Sequence, residues 1–359
     1  MPLAEAAAIL NHFAIPRRDY AVLPVRHGLI NRSYKVTDKA TGKPRYFLQQ
    51  IDHHIFKDVE GLMHNIKQVT AHFELLPNPP GHLTTVNSGD KNYYRSPAGA
   101  YWRLYPYVDG NTYIRAGDRQ LATEAGRMFG QFLKALSGLP PGAMVITIPR
   151  FHDIDWRYQQ FQASLGTAGK QRLRKAAWLI RLVEENISAV QKIYHNIVHH
   201  CPLRVVHNDT KLSNLLFDGQ QRGLCVVDYD TLMPGYIPLD FGDAIRSLAS
   251  TTVEDDPHTG RTFFNRQVFA AFTPAFIKAL GNAITKAETS QFANSVPYMP
   301  FLMGLRMLTD YLNNDSYYTT RYAEHNYHRA ANQLTLYSSG MALMPEMNKI
   351  VNKTVSALN

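Results

Sequence analysis

Two short apolar runs constrain this chain most: Leu203 to Val206 and Leu224 to Val227, set within a half of the sequence whose periodicity is otherwise helical. Each ends abruptly in polar residues. The first delivers His207-Asn208-Asp209-Thr210-Lys211-Leu212-Ser213-Asn214, which fits H-x-D-x-x-x-x-N. The second delivers Asp228 in Val226-Val227-Asp228-Tyr229-Asp230, fourteen positions after Asn214.

The rest of the chain reads as two unequal parts. Tyr20 to Val36 predicts two strands joined by a turn at His27-Gly28, and Arg45 to Ile51 a third. Asp58 is placed to cap a helix whose apolar positions Val59, Leu62, Met63, Ile66 and Val69 recur at helical spacing. Further strands are expected around Asn92 to Arg95 and Tyr101 to Tyr107. Beyond the Asp109-Gly110 turn the clearest helices are Leu121 to Leu136, Leu173 to His199, Gln267 to Leu280 and Pro300 to Leu312. The expected class is α+β, with a small antiparallel-sheet lobe over residues 1–108 and a larger, mainly helical lobe over 109–359.

Composition excludes several classes. With 45% hydrophobic residues and 19% charged, the chain is globular rather than disordered. Cys201 and Cys225 form no CxxC pair and are too few for a disulfide scaffold, which suits a reducing, cytoplasmic setting. The N-terminal MPLAEAAAILNHF reads as an amphipathic helix rather than a signal peptide, and no apolar run is long enough to span a membrane. The net charge of +9 is dispersed. Its densest stretch, Lys170 to Arg181, alternates with leucines and reads as the solvated face of a helix, so no nucleic-acid partner is expected.

Phosphoryl transfer needs a carboxylate to orient and deprotonate the attacking hydroxyl, and oxygen ligands to hold Mg²⁺ on the phosphates. Asp209 fits the first role, and Asn214 and Asp228 the second, at the separation kinases use. Lys211 would add positive charge where the γ-phosphoryl moves. The competing reading is a polar connection whose Asp and Asn make local turn hydrogen bonds. Asp240-Phe241-Gly242 spells D-F-G, but it lies twenty-six positions after Asn214, so spacing favours Asp228. Asp240 and Asp243 are expected to cap a helix instead.

HNDTKLSNLLF, VVDYDTLMPG and LDFGDAIR resemble the aminoglycoside phosphotransferase and choline kinase-like superfamily, and within it the N-acetylhexosamine 1-kinases. FLQQI through FKDVEGLMHNI, WRLYPYVDGNTY, IPRFHD and LRMLTDYLNNDSYY extend the resemblance over nearly the whole chain. It implies a two-lobed protein kinase-like fold, with ATP between the lobes and adenine against backbone groups at the crossing, around Tyr105, Tyr107 and Val108. It implies Asp209 as base, Asn214 and Asp228 as Mg²⁺ ligands, and an anomeric sugar hydroxyl as acceptor. Asp230 is a further ligand or a structural acid. A monomer or weak dimer, with ATP and a sugar as its small-molecule partners, is the expected state.

The chain departs from kinases in two places. Its third strand reads Phe47-Leu48-Gln49-Gln50 without a lysine, so the positive charge is sought in Lys57, Lys211 or Arg26, and a non-catalytic pseudokinase is the reading that absence supports. Only Gly28 stands where several glycines cover the phosphates, and Leu29 replaces a polar residue of the hexosamine kinases. Asn31 is expected to cap that turn or reach the sugar. The acceptor pocket is placed on Arg306, Asp310, Tyr311, Asp315, Tyr317 and Tyr318, residue types that offer sugars bidentate donors, carboxylates and aromatic faces. Alternatively, Arg306 and Asp310 pair along a helix, and Tyr311 and Tyr317 are core. The resemblance puts a glycine near Asn314 and a phenylalanine near Tyr318. Another alcohol, such as an aminoglycoside, choline, homoserine or a thio-sugar, is the alternative acceptor.

Overall fold

The computed structural model describes residues 3–25 and 30–358. Arg26, the His27-Gly28 turn and Leu29 lie outside the described residues. The chain opens with α1 (Leu3–Ile9), followed by β1 (Tyr20–Val25), β2 (Arg32–Asp38) and β3 (Pro44–Ile51). After α2 (Val59–Glu74) come β4 (Tyr94–Arg95) and β5 (Tyr101–Pro106). These strands form one antiparallel sheet in the order β1-β2-β3-β5-β4.

Strand alternation decides which side each residue serves. Val36, Leu48, Trp102 and Leu104 point to one face and are buried there under Ile9, Leu10 and Phe13 from the N-terminal segment. Ser33, Gln49 and Arg103 face the other way, aligned across β2, β3 and β5. The expected strand at Asn92 to Arg95 shortens to two residues. Asn92 instead sends its amide nitrogen to the Met63 carbonyl at 2.9 Å, which pins the segment to α2. Asp58 caps α2 as expected, accepting from the Gly61 amide at 2.8 Å.

The second half contains α3 (Arg119–Leu136), α4 (Ile154–Thr167) and α5 (Lys170–His200), then β6 (Arg204–Val206), β7 (Leu215–Phe217), β8 (Gly223–Val226) and β9 (Met233–Gly235). It closes with α6 (Ile237–Leu248), α7 (Arg266–Leu280), α8 (Lys286–Leu312) and α9 (His325–Ser356). β6 pairs with β9 and β7 with β8, so both apolar runs become short strands under helices. α8 begins fourteen residues before the expected Pro300, at a capping box in which Thr285 and Glu288 satisfy each other's backbone. Pro297 and Pro300 lie inside it.

α3 and α7 approach closely because Gly126 and Gly130 face α7. A Cβ at Gly126 would sit 2.5 Å from the Phe272 carbonyl oxygen. Gly242 does the same for α6 against α8, where a Cβ would meet the Ser295 carbonyl oxygen at 2.3 Å. The glycine of Asp240-Phe241-Gly242 is therefore a helix-packing residue. α2 joins the core of the helical half through Leu62, Met63, Ile66 and Phe73, so the two parts share buried surface. No helix among the described residues is long and apolar enough to cross a membrane.

Candidate active site

The loop between β6 and β7 is held rigidly from below. Asp240, in the first turn of α6, accepts the backbone amides of His207 at 2.8 Å and Asn208 at 2.9 Å, while its own carbonyl accepts from Thr210 Oγ1 at 2.5 Å. The helix-capping role expected for Asp240 is thus corrected: α6 starts after Tyr236, without a side-chain cap, and Asp240 anchors the loop. Burial pushes its carboxyl up to about 8, against the pull of those two amides. Asp243 pairs with Arg246 at 2.8 Å. His207 is fully buried and lowered by burial; its Nε2 meets the Val227 carbonyl at 3.0 Å and its Nδ1 accepts the Asp209 amide at 3.3 Å. It is a neutral ring that ties the two hairpins together.

On this support four groups converge. Asp209 Oδ2 accepts from Lys211 Nζ at 2.6 Å and from Asn214 Nδ2 at 3.0 Å. Lys211 Nζ also lies 3.7 Å from Asp228. Burial alone would raise Asp209, but Lys211, His207 and Asn214 hold it below the ordinary carboxylate range. Lys211 is itself raised by Asp209 and Asp228 in spite of burial. Withdrawal from water pushes Asp228 up to about 6, with Asp230 and Asp209 adding to the effect and Lys211 opposing it. Asp228 adopts a left-handed backbone (φ 64°), a strained conformation for a non-glycine residue.

The donor set suits a hard divalent cation. Asn214 uses its amide nitrogen on Asp209, which leaves its side-chain oxygen as an acceptor, and the half-buried Asp228 carboxylate stands beside it. Among the described residues no group of three or more His, Cys, Asp or Glu forms a complete metal cage. An amide oxygen and a carboxylate leave the remaining positions for phosphate and water, as Mg²⁺ prefers.

Other expected residues fall differently. The Tyr107 amide donates to the Arg45 carbonyl at 2.9 Å, so it extends the sheet and is not a donor for adenine. Val108 makes no backbone–backbone hydrogen bond among the described residues. Tyr105 is a buried ring on the Gln49 and Arg103 side of the sheet, with the Arg103 guanidinium 5.3 Å from its centre. Asn31 does not reach for an acceptor: its Nδ2 donates to Asp230 at 2.6 Å and its Oδ1 accepts the Asp52 amide at 3.0 Å. Asp230 also pairs with Arg103, which makes it structural.

The acceptor set divides. Asp310 does not pair with Arg306; it accepts the amides of Tyr317 at 2.8 Å and Tyr318 at 2.9 Å and the Asn326 side chain at 2.9 Å, so it pins the turn after α8. Tyr311 is buried in the helical core, with Arg172 stacked 4.5 Å above its ring. Both are therefore removed from the pocket, because their polar or aromatic surface is already engaged. Tyr317 is 60% exposed. Arg306 remains, lying over Phe151 at 5.3 Å and Tyr318 at 5.8 Å.

Sequence reasoning placed Tyr318 with Arg306 but missed His152 and Arg157 around them. His152, Arg157 and Tyr318 each bury a polar atom that has no hydrogen-bond partner among the described residues: Nδ1, Nε and the hydroxyl, respectively. Burial, with Arg306 and Arg157 nearby, drops His152 to about 3. A cavity of about 150 Å³ lies between His152, Phe151 and Asn208 of the polar loop. A second, of about 100 Å³, is lined by Lys211, Ser213, Arg246, Thr252, Glu254 and Gln333. Glu254 is clamped there by Arg329 at 2.6 Å and Arg246 at 2.8 Å, and although burial opposes them they bring it down to about 2.

A family model described as the phosphotransferase enzyme family matches residues 21–280, which spans both the sheet and the polar loop. The chain belongs to this family. The phosphotransferase also shares its kinase-like fold with solved structures across nearly its whole length. An aminoglycoside phosphotransferase from Alicyclobacillus acidocaldarius superposes with a TM-score of 0.62 at 12% identity, covering 96% of each chain. A choline/ethanolamine kinase family protein from Mesorhizobium loti gives 0.56 at 17% identity, covering 98% of each. A spectinomycin phosphotransferase solved with ADP and spectinomycin gives 0.57 at 10% identity, covering 96% of this chain and 99% of its own. At these identities the likeness carries the fold, and the acceptor has to be argued from this chain's own residues.

Proposed function

We propose that this phosphotransferase is an ATP- and Mg²⁺-dependent kinase that phosphorylates a sugar, with the anomeric hydroxyl of an N-acetylhexosamine or hexose as acceptor and a sugar 1-phosphate as product. The observation that carries it is the convergence of Asp209, Lys211, Asn214 and Asp228, the first three hydrogen-bonded to one another and Asp228 facing Lys211 as an ion pair at 3.7 Å. Asp209 is the carboxylate that orients the acceptor hydroxyl and takes its proton as the oxygen attacks the γ-phosphorus and the bond to the β–γ bridging oxygen breaks, releasing ADP. Its lowered pKa keeps it ionised, which suits an orienting acceptor. Lys211 stands between Asp209 and Asp228 and offsets charge on the phosphoryl oxygens.

Asn214 and Asp228 are the side chains that would hold Mg²⁺, which when bound draws charge from the β- and γ-phosphates. The crossing at Val108 is the place for the nucleotide, and Gly28, expected over its phosphates, lies outside the described residues. Arg306 is the acceptor-binding residue retained from the sequence reading, joined by His152, Arg157 and Tyr318. Tyr317 lies at the exposed rim of that group.

The choice of a sugar over a polycation rests on charge. The cationic acceptors named for related structures call for unpaired acids, whereas Glu254 here carries two arginines and one oxygen of Asp243 carries another. The groups gathered around Arg306 are positive or neutral: Arg157, Arg306 itself and the faces of Phe151 and Tyr318. Such a pocket fits hydroxyls and acetamido oxygens. The test is ADP release with N-acetylglucosamine, N-acetylgalactosamine, glucose and galactose against kanamycin and choline. Turnover confined to the cationic acceptors would sink the sugar reading.

A further inference from the structure

The strand that would carry a phosphate-gripping lysine carries Gln49 instead, and the register sets Arg103 of β5 directly opposite it. Gln49 Oε1 accepts from Arg103 Nε at 3.0 Å and Nη2 at 2.8 Å, while Gln49 Nε2 donates to Ser33 Oγ at 3.0 Å. The guanidinium is thus fixed by groups from β2 and β3. Its Nη1 crosses to the helical half and pairs with Asp230. The other Asp230 oxygen accepts from Asn31, whose own oxygen is tied to the Asp52 amide.

Arg103 and Asp230 are 1% and 4% exposed at their side chains. A buried ion pair is a poor source of net stability, because desolvation offsets most of the Coulomb attraction; holding parts in register is the better-attested reason to keep one. Here the part being held is evident. Asp230 lies in the single turn of 3₁₀ helix, Tyr229–Thr231, that follows the strained backbone of Asp228. A planar fork suits this task better than a lysine, since its donors to Gln49 and to Asp230 sit on separate nitrogens in fixed directions, whereas an ammonium offers all its donors from one point.

We propose that Arg103, with Asn31 as second arm, is a positioning strut that ties the sheet to the Asp228 turn and so sets the geometry in which Asp228 takes the nucleotide's Mg²⁺. It stands in for the strand lysine by acting through Asp228 rather than by gripping phosphate, and it rests on the metal role proposed above. The strut predicts a defect in metal-linked nucleotide binding specifically. ADP affinity is therefore measured by calorimetry with Mg²⁺ and with EDTA in the wild type, Arg103→Gln, Arg103→Lys and Asn31→Ala. The expected result is that the ratio of the two affinities falls about tenfold, or ~1.4 kcal/mol, in all three variants, while Mg²⁺-free affinity stays within about threefold.

If Mg²⁺-free affinity falls as far as the Mg²⁺-bound value, or Arg103→Lys restores it, Arg103 grips phosphate or merely supports the fold and the strut is wrong. If Arg103→Gln does not fold, the half-buried Asn31→Ala decides by the same ratio. A wild type that binds ADP with Mg²⁺ linkage, beside variants with unchanged linkage, overturns the strut alone. A wild type with no such binding overturns the nucleotide reading and the strut together.

Discussion

Asp209 and Asp228 sit on opposite sides of Lys211 and are pushed in opposite directions, down for Asp209 and up to about 6 for Asp228. That difference is consistent with the separate roles proposed for them. Asp209→Asn should lower turnover by about two to four orders of magnitude and leave Mg·ADP affinity nearly intact, as single-turnover ADP release and calorimetry would show. Unchanged turnover would remove Asp209 as base. For Asp228 the sign is fixed by linkage: a carboxyl raised above its unfolded value favours the apo fold at low pH and loses that contribution as pH rises through about 6, while Mg²⁺ needs the ionised form. Mg²⁺-linked ADP affinity should therefore fall about tenfold per pH unit below 6, and a flat profile from pH 5 to 7 would contradict the assignment. These residues were legible because strand, loop and spacing all fix them at once. His152 and Arg157 were not, since His152 meets Asn208 of the loop only across a cavity and Arg157 is turned back onto the Phe151 carbonyl, neither of which spacing reveals. Arg103 was hidden within an apolar strand, and only its opposition to Gln49 gives it meaning. Asn314, where the resemblance puts a glycine, adopts φ 60°, a conformation that asparagine tolerates better than most residues.

Helices with one apolar stripe were read well: α2, α3, α5 and α7 begin within about three residues of the expected positions. Those with another logic were not. α9 buries Asn326, Arg329, Asn332 and Gln333 on its inner face, so it presents no clean apolar periodicity, whereas the helix expected after Asp240 and Asp243 is α6, which begins earlier, at Ile237. The prolines within α8 broke its pattern in the middle. α6 carries Asp240 to the polar loop, and its seat on α8 depends on Gly242. Gly242→Ala should destabilise the protein by about 1–3 kcal/mol and also slow turnover, because shifting α6 shifts the anchor of His207 and Asn208. Gly166→Ala, in α4 with open space at the added methyl, should instead stabilise by about 0.5–1 kcal/mol without touching turnover. Thermal unfolding of the two variants beside the wild type separates packing from propensity. Equal losses would mean that α6 is not held as closely as described.

At the scale of the whole molecule, a sheet packed under α1 faces a helical half that carries the Asp209–Lys211–Asn214 cluster, and the Arg103–Asp230–Asn31 contacts join the two. The division into a sheet-rich first part and a helical second was legible from the switch in period. The shared core through α2 was not, because periodicity shows that a face is buried and not against what. Charge shows a similar limit. The net +9 says little by itself, and part of the basic face of α5 is already paired, Arg172 with Asp315 and Lys175 with Glu324. Other arginines lie inside, paired with Glu254 and Asp243, and the proposed preference for a neutral acceptor rests on those pairs. The most direct test of the account is Mg²⁺-dependent ADP release from ATP across neutral reducing sugars, kanamycin, choline and homoserine, with phosphorus NMR of the product. The account predicts turnover with a reducing sugar and a phosphate at its anomeric carbon; turnover with kanamycin or choline alone, or a phosphate at any other sugar position, would contradict it.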